Sequence, residues 1–169
     1  MPRKPPKAKA RGPRPGSIAR VEGLNYGDLD EHLGYVLRRA QLAGFEAFHQ
    51  ATAGVDITPA RYTALVIVGA NPGLSQSALG AALGTARSGA MLVVDWMEKR
   101  GLVERRSRPE DGRSWGLYLT HRGLTQLRAY NRRVRANDAA FAARLSAPER
   151  AQLRRLLEKL VGGRSVNSK

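Results

Sequence analysis

The side chains best able to do chemistry in this sequence are basic ones, and the chemistry they offer is the binding of anions. Among 169 residues, 29 are Lys or Arg and 14 are Asp or Glu, which gives a formal charge of +15 at pH 7. Such an excess favours a polyanionic partner such as nucleic acid. Solubility alone is the alternative explanation, because a high net charge also keeps a protein in solution.

The patterns that usually mark catalytic or metal sites are missing from the sequence. The histidines His32, His49 and His121 lie far apart without the spacing of metal ligands, and no glycine-rich phosphate-binding motif ending in Lys is present. Cysteine is absent, which excludes disulfides, thiolate metal sites and a cysteine nucleophile. We therefore predict no enzyme, no catalytic or metal-binding residues and no cofactor, although residues distant in sequence can still converge in a fold.

The two ends of the chain differ in composition from the middle. Residues 1–20 contain seven Lys or Arg, five Pro and no acidic residue, which is typical of a disordered basic arm. Residues 21–162 are predicted to form a single domain, and residues 163–169 a frayed tail. No apolar stretch approaches the roughly 20 residues of a membrane helix, and the N-terminus lacks the apolar segment of a secretory signal. We expect a cytoplasmic protein with no membrane partner.

Helical periodicity and capping residues predict two helices in the first part of the domain. Apolar residues from Leu29 onward recur at helical spacing, so a long first helix is expected to run to about Thr52. A second apolar patch off that stripe predicts that this helix has two neighbours. Thr58 and Pro59 predict the start of a second helix that runs through about Val68, and Gly69 with the turn Asn71-Pro72-Gly73 is expected to end it.

A pair of closely packed helices is predicted next. Ser75 can cap a third helix with the sequence QSALGAALG, and Gly84 fits a tight turn before a fourth helix that begins near Ala86. Helices joined by such a turn must approach closely, and Gly80 supplies the small residue that their crossing requires. The segment therefore predicts a helix-turn-helix.

A basic hairpin is predicted after the fourth helix, which Gly101 is expected to end. Residues 102–120 carry strand-like pieces around the polar turn SRPEDGRS. Trp115, Leu117 and Leu119 alternate with smaller or more polar residues, which predicts that the second strand is half-buried.

Two amphipathic helices are predicted to follow the hairpin. The fifth helix, capped by Thr120, has an apolar stripe from Leu127 to Phe141 at intervals of three and four residues, and such a stripe requires a partner helix. Ser146 and Glu149 form a capping box for a sixth helix with a leucine-rich face. Together with the first helix, these two are the expected dimerisation platform.

The order of these elements resembles the MarR family of bacterial transcriptional regulators. The phrases that carry the resemblance are QSALGAALG, DWMEKRGLVERR, PEDGRSWGLYLT and HRGLTQL. The resemblance implies a mainly α fold with a small β-wing, in which a winged helix-turn-helix spans about residues 56–120 and dimerisation helices span about 27–53 and 120–162. It also implies a homodimer on double-stranded DNA and, usually, repression that a small molecule relieves.

The resemblance assigns DNA contacts to the helix-turn-helix. Ser75 and Gln76 would meet phosphates, and Arg87 and Ser88 would face base edges in the major groove. A helix N-terminus favours phosphate and arginine suits guanine edges, which supports these roles independently. The segment GAML at residues 89–92 departs from the more polar recognition helices of many members, so phosphate contacts and DNA shape are expected to contribute more to specificity.

The hairpin carries the other candidate DNA contacts. The resemblance implies that Arg113 enters the minor groove, where arginine is favoured, while Asp111 braces the wing. Arg105, Arg106 and Arg108 are further candidates on the same hairpin. For each of these arginines, a solvated surface charge is the alternative.

The resemblance also implies an effector pocket between the dimerisation platform and the winged domain. Tyr35, Phe45 and Tyr62 are candidate aromatic lining residues, and Arg38 and Arg39 are candidate partners for an anionic group. The phrase LGYVLRRAQLAGFEAF is similar to members that respond to aromatic acids or to their coenzyme A thioesters. Dimer core and solvated charge are the alternatives for these five residues.

A nonspecific architectural or RNA-coating protein is the main rival hypothesis, because the basic arm and the net charge alone would serve such a role. A regulator is expected to bind one DNA site roughly 10³-fold or more tightly than random duplex, whereas a coating protein shows little preference. Composition does not separate these two functions.

Overall fold

The computed structural model describes residues 20–108 and 111–162, without the side chains of residues 108 and 111–114. The helices in this part of the chain are α1 (Leu33–Ala51), α2 (Pro59–Ala70), α3 (Gln76–Ala82), α4 (Arg87–Lys99), α5 (His121–Phe141) and α6 (Ala147–Leu160). The strands β1 (Val103–Arg108) and β2 (Asp111–Leu119) form an antiparallel hairpin between α4 and α5. The predicted mainly α fold with a small β-wing is therefore confirmed. The predicted basic arm, except for its last residue, and the predicted tail, from residue 163, lie outside the described residues.

The first helix is shorter than the sequence predicted. Gly27–Asp30 form a separate 3-10 turn, and α1 begins only after His32, whose extended backbone has φ −80° and ψ 111°. Arg20, which was assigned to the arm, forms an ion pair with Asp30 at 2.5 Å and lies 4.5 Å from the centre of the Tyr26 ring. The described part of the chain therefore includes a short segment ahead of α1.

The second helix begins as predicted and ends later. Thr58 accepts a hydrogen bond from the backbone N of Arg61 at 3.3 Å, which confirms the predicted cap. The helix continues one residue past Gly69 and ends at Ala70, directly before the predicted turn Asn71-Pro72-Gly73. A Cβ at Gly69 would lie 2.9 Å from Leu119 and 3.0 Å from Leu127. The glycine is therefore explained by close packing of α2 against β2 and α5.

The core of the winged domain lies where α2, α3 and α4 meet the hairpin. Its fully buried side chains include Leu65, Val68, Leu79, Val94, Met97 and Leu117. The helix α5 packs along α1 and α2, and Tyr130 is buried in this contact. The stripe of the fifth helix is thus partly covered within the same chain, while Phe141 at its end remains 45% exposed.

The hairpin is attached to the turn before α3. The backbone N of Leu117 donates to the carbonyl of Leu74 at 2.9 Å, which makes an isolated antiparallel bridge. Leu117 is buried as predicted, but Trp115 is 62% exposed, so the prediction of a half-buried strand is wrong at that position. Trp115 lies nearer the hairpin tip, beyond the bridge to Leu74 that helps to cover Leu117.

The last helix begins at the predicted capping box. The backbone N of Ser146 donates to Glu149 Oε2 at 2.7 Å, and the backbone N of Glu149 donates to Ser146 Oγ at 3.5 Å. The backbone N–H of Ser146, followed by its hydroxyl, which donates to the same Glu149 Oε2 at 2.7 Å, lowers the pKa of Glu149 below its ordinary 4.5. The leucines of α6 all remain exposed in the single chain: Leu153, Leu156, Leu157 and Leu160.

Candidate nucleic-acid interface

The helix α3 begins with a hydroxyl cap. Ser75 Oγ accepts a hydrogen bond from the backbone N of Ala78 at 3.1 Å and lies 3.1 Å from Ser77 Oγ. The cap satisfies one of the backbone N–H groups that the start of a helix leaves without a partner. Ser75 and Gln76 are both partly buried, so the phosphate contacts predicted for them would come from the edge of a packed surface.

The helices α3 and α4 approach closely, as the small residues predicted. A Cβ at Gly80 would lie 3.1 Å from Ala90 Cβ, and both residues are buried. Gly84 has φ 61°, in the left-handed region that favours glycine, and makes the turn between the two helices. The cleft between them has a volume of about 450 Å³, and both Gln76 and Arg87 line it. The structure thus brings two predicted DNA contacts to one edge of the helix-turn-helix.

The first turns of α4 present polar and apolar side chains to the outside. Arg87 and Ser88 are exposed, as a contact with DNA requires. Met91 is 48% exposed and Leu92 is 67% exposed, although both are large apolar residues. The opposite side of α4 is anchored in the core through Val94 and other buried residues. The exposed surface of α4 is therefore fixed in position by the packing of the opposite side of the helix in the core.

Arg105 connects the wing to α4. Its Nε donates to Glu98 Oε1 at 3.0 Å, and its guanidinium lies 3.9 Å from Asp95 Oδ1. The structure therefore directs this predicted DNA contact toward two carboxylates of the recognition helix. An arginine engaged in this way positions the wing and neutralises negative charge on α4.

Arg106 lies on the other face of β1. It pairs with Glu104, and its guanidinium carbon lies 5.2 Å from the centre of the Tyr118 ring, within cation–π range. Its side chain stays mostly exposed, so it remains available to a phosphate. The predicted wing residues whose side chains lie outside the described part of the chain are Arg108, Asp111 and Arg113.

Sequence analysis missed a cluster around Asp56. This carboxylate accepts hydrogen bonds from Arg61 at 2.7 Å, from Trp96 Nε1 at 3.3 Å and from Arg100. The guanidinium carbons of Arg61 and Arg100 lie 4.6 and 4.5 Å from the centre of the Trp96 ring. The cluster ties the connection between α1 and α2 to the C-terminal end of α4.

The hydrogen bonds of this cluster hold Asp56 in its charged form. The indole N–H of Trp96, together with the charges of Arg100 and Arg61, lowers the pKa of Asp56 below its ordinary 3.8. The only signal in the sequence was an acidic residue just before the Thr58 cap, because Trp96 and Arg100 lie 40 and 44 positions away. No periodic pattern connects residues at such separations.

Two of the predicted effector residues, Tyr35 and Arg39, lie together on α1. The Arg39 guanidinium carbon lies 5.9 Å from the centre of the Tyr35 ring. Arg39 Nε is buried and has no hydrogen-bond partner within the described residues. Arg38 instead lines a groove of about 940 Å³ between α1, α5 and α6.

The remaining two predicted effector residues, Tyr62 and Phe45, lie apart from Tyr35. Tyr62 donates a hydrogen bond to Asn131 Oδ1 at 2.9 Å, and its ring lies 5.8 Å from that of Phe48. Partial burial raises the pKa of Tyr62 above its ordinary 10.0. Phe45 is exposed on α1, about 15 Å along the helix from Tyr35 at 1.5 Å per residue. The structure therefore does not bring all five predicted residues together.

Within residues 20–108 and 111–162, no group of three or more His, Asp or Glu could hold a metal ion. No single helix of this part is long and apolar enough to cross a membrane. Only α3 and α4 taken together have that length and composition, and they bend by 111° at the break between them.

Comparison with known proteins finds relatives that match most of this chain. A family profile described as the MarR family matches residues 55–114, from just before α2 into the wing. A protein of Thauera aromatica, assigned as a transcriptional regulator for the hcr operon, is 39% identical over 138 residues, which cover 81% of this chain and 83% of that protein.

Solved structures of regulators share the fold over most of the chain. The transcriptional repressor CouR bound to a 23-mer DNA duplex has a TM-score of 0.77 and 35% identity, covering 83% of this chain and 99% of that one. CouR bound to p-coumaroyl-CoA has a TM-score of 0.75 and 34% identity, with 82% and 97% covered. PcaV from Streptomyces coelicolor, in complex with its natural ligand, has a TM-score of 0.72 and 31% identity, with 82% and 98% covered. This chain therefore belongs to the MarR family, and it is a DNA-binding transcriptional regulator rather than an enzyme.

Proposed function

We propose that the chain is a homodimeric repressor that acts in the cytoplasm, binds a pseudo-palindromic operator and releases it when an aromatic acid or aromatic acyl-CoA binds. The observation that best supports the operator part is the exposed start of α4. Arg87 and Ser88 project there beside the α3 cleft that Gln76 also lines. An arginine in this place can donate two hydrogen bonds to a guanine edge, while the neighbouring polar groups meet phosphates.

The wing extends the proposed surface. Arg106 is exposed for a phosphate, Arg108 is a further candidate contact on the hairpin, and Arg113 keeps the role in the flanking minor groove that the family resemblance implies. Arg105 contributes differently, because its pairing with Glu98, with Asp95 nearby, offsets part of the negative charge on α4. Without that compensation, negative charge on the recognition helix would oppose the approach of the DNA backbone.

A second copy of the chain is proposed to cover the apolar faces of α1 and α6. Leu33 and Val36 on α1 are exposed, as are all the leucines of α6. Burying apolar surface contributes about 25 cal/mol per Å², so these faces favour self-association. A two-fold dimer would place two α4 helices in successive major grooves, about 34 to 36 Å apart.

The effector proposal rests on the chemistry around α1 and on the relatives. CouR binds p-coumaroyl-CoA, which joins an aromatic acyl group to an anionic carrier. In this chain, the buried Nε of Arg39 beside the Tyr35 ring offers an unused donor next to an aromatic surface. Arg38 offers a second cation in the groove between α1 and α6, while Phe45 and Tyr62 supply further aromatic surface.

The operator proposal is tested by fluorescence anisotropy with a labelled duplex from the promoter beside the gene, and with a scrambled duplex of equal length as competitor. We expect Arg87→Ala to weaken binding to the promoter duplex by about tenfold or more, since one good base contact is worth roughly 1–3 kcal/mol. Arg128→Ala removes an exposed arginine from α5 and serves as the matched control. Equal affinity for both duplexes would support the nonspecific coating protein instead.

The effector and dimer proposals have separate tests. Titration of p-coumaroyl-CoA and of free p-coumarate into the protein–DNA complex should lower the anisotropy, and the aromatic effector is rejected if neither compound releases the DNA. Sedimentation should show a dimer for the unmodified chain. A Leu156→Glu and Leu160→Glu double variant should sediment as a monomer, because a carboxylate cannot be buried in an apolar contact without a partner.

A further inference from the structure

The outward face of α4 carries two exposed side chains, Leu92 and Met91, that cannot form hydrogen bonds. Leu92 is 67% exposed and Met91 is 48% exposed. Leu92 lies one helical turn after Ser88 and three residues before Asp95, so it stands in the middle of the face that begins at the proposed base contacts. Both side chains are apolar, and neither can donate to or accept from a base edge.

The major groove of DNA presents one apolar group on its base edges, the C5-methyl of thymine. A helix that offers leucine and methionine beside arginine and serine is complementary to a site in which thymines adjoin a guanine. We propose that Leu92, with Met91 beside it, recognises thymine methyl groups in each half of the operator. This inference rests on the proposed operator binding and names the base chemistry that α4 selects.

Two contacts keep this face in a fixed position. The close approach of Gly80 to Ala90 sets the distance between α3 and α4. Arg105 pairs with Glu98 and lies near Asp95, so its charge offsets one of the two acids that lie next along the helix. Arg87 before Leu92 and Arg105 beyond it favour DNA as the occupant of this surface over an apolar protein partner.

The test replaces each thymine of the promoter duplex in turn with deoxyuridine, which keeps the base pair and removes only the methyl group. At one or two positions in each half-site, we expect the affinity of the unmodified protein to fall about fourfold, the value of one buried methylene-sized group. Leu92→Ala should bind the thymine duplex roughly tenfold more weakly, because most of the leucine contact is lost. It should also be indifferent to the uracil replacement. Leu124→Ala, which removes an exposed leucine from α5, should keep the full uracil effect.

The possible results separate the operator proposal from the thymine proposal. Loss of preference for the promoter duplex in the unmodified protein would overturn the operator proposal itself. Specific binding without any uracil effect would overturn only the thymine proposal. A uracil effect that is the same in Leu92→Ala would show that another group or the shape of the DNA senses the methyl group. A Leu92→Ala variant with unchanged affinity for both duplexes would show that Leu92 does not contribute to DNA binding and would overturn the thymine proposal.

Discussion

A methyl group added at Gly123 is expected to separate the wing from α5. Gly123 is buried in the first turn of α5, where its backbone N donates to Thr120 Oγ1 at 2.9 Å. A Cβ built on Gly123 would lie 2.0 Å from the carbonyl oxygen of Leu102, which follows α4 closely. Ordinary contacts between carbon and carbonyl oxygen begin at about 3.3 Å, so the two backbones would have to part by about 1 Å.

The cost of this change can be assembled from its parts. Overpacking of a tight site typically costs about 1–3 kcal/mol. The backbone N of Thr120 donates to the same Leu102 oxygen at 3.0 Å. Parting the backbones would break that hydrogen bond, which is worth about 1 kcal/mol. Alanine regains about 1 kcal/mol over glycine through helix propensity. Gly123→Ala should therefore lower the free energy of unfolding by about 1–3 kcal/mol.

Urea unfolding followed by circular dichroism measures this difference, at one protein concentration because dimerisation would contribute to stability. Thermal unfolding should agree, with a loss of about 2–4 °C in Tm per kcal/mol. Thr125→Ala, an exposed substitution two residues along α5, is the control and should change stability by no more than about 0.5 kcal/mol. The reasoning is refuted if Gly123→Ala is as stable as that control.

Three further predictions follow from the hydrogen bonds and ion pairs. Ser146→Ala should cost about 1 kcal/mol through loss of the cap on α6, and NMR titration should show the pKa of Glu149 rising because the hydroxyl donor is lost while the backbone donor remains; an unchanged pKa would contradict the contribution of the Ser146 hydroxyl. Asp56→Asn should destabilise the protein at pH 7, and the difference from the unmodified chain should shrink as the pH falls below 3.8, because the folded state holds a lowered pKa. Equal urea midpoints for the two proteins at pH 7 would count against the cluster. Arg105→Gln should weaken DNA binding without changing the salt dependence, whereas a slope reduced by about 0.9 would show that Arg105 contacts a phosphate directly.

Local chemistry made much of the fold predictable. The caps at Thr58, Ser75, Thr120 and Ser146 all accept the expected backbone hydrogen bonds, because a hydroxyl at a helix start depends only on residues three positions away. The turn at Gly84 and the close packing of the two helices around it were also predictable, because they depend on residues that are near in sequence. The end of α2 was predicted two residues early because a glycine that ends a helix and one that permits close packing look alike in sequence, and only the approach of β2 and α5 separates them.

In the candidate site too, residues set by local sequence were predictable and residues set by long-range contacts were not. The exposure of Arg87 and Ser88 follows from the helix-turn-helix pattern, so the sequence could place them. The partners of Arg105 depend on how the hairpin folds back over α4, which periodicity does not encode. The Asp56 cluster is more distant still, since it joins the loop before α2 to the end of α4.

These long-range contacts bear directly on how an effector could act. The Asp56 cluster joins the segment that leaves α1 to the recognition helix, so a shift of α1 would be transmitted to α4 through the Trp96 ring and its two guanidiniums. A ligand can shift an equilibrium only by its difference in affinity for the two states. On the proposed function, an effector beside Tyr35 and Arg39 on α1 would release DNA only if it bound more tightly to an arrangement in which the two α4 helices are spaced differently.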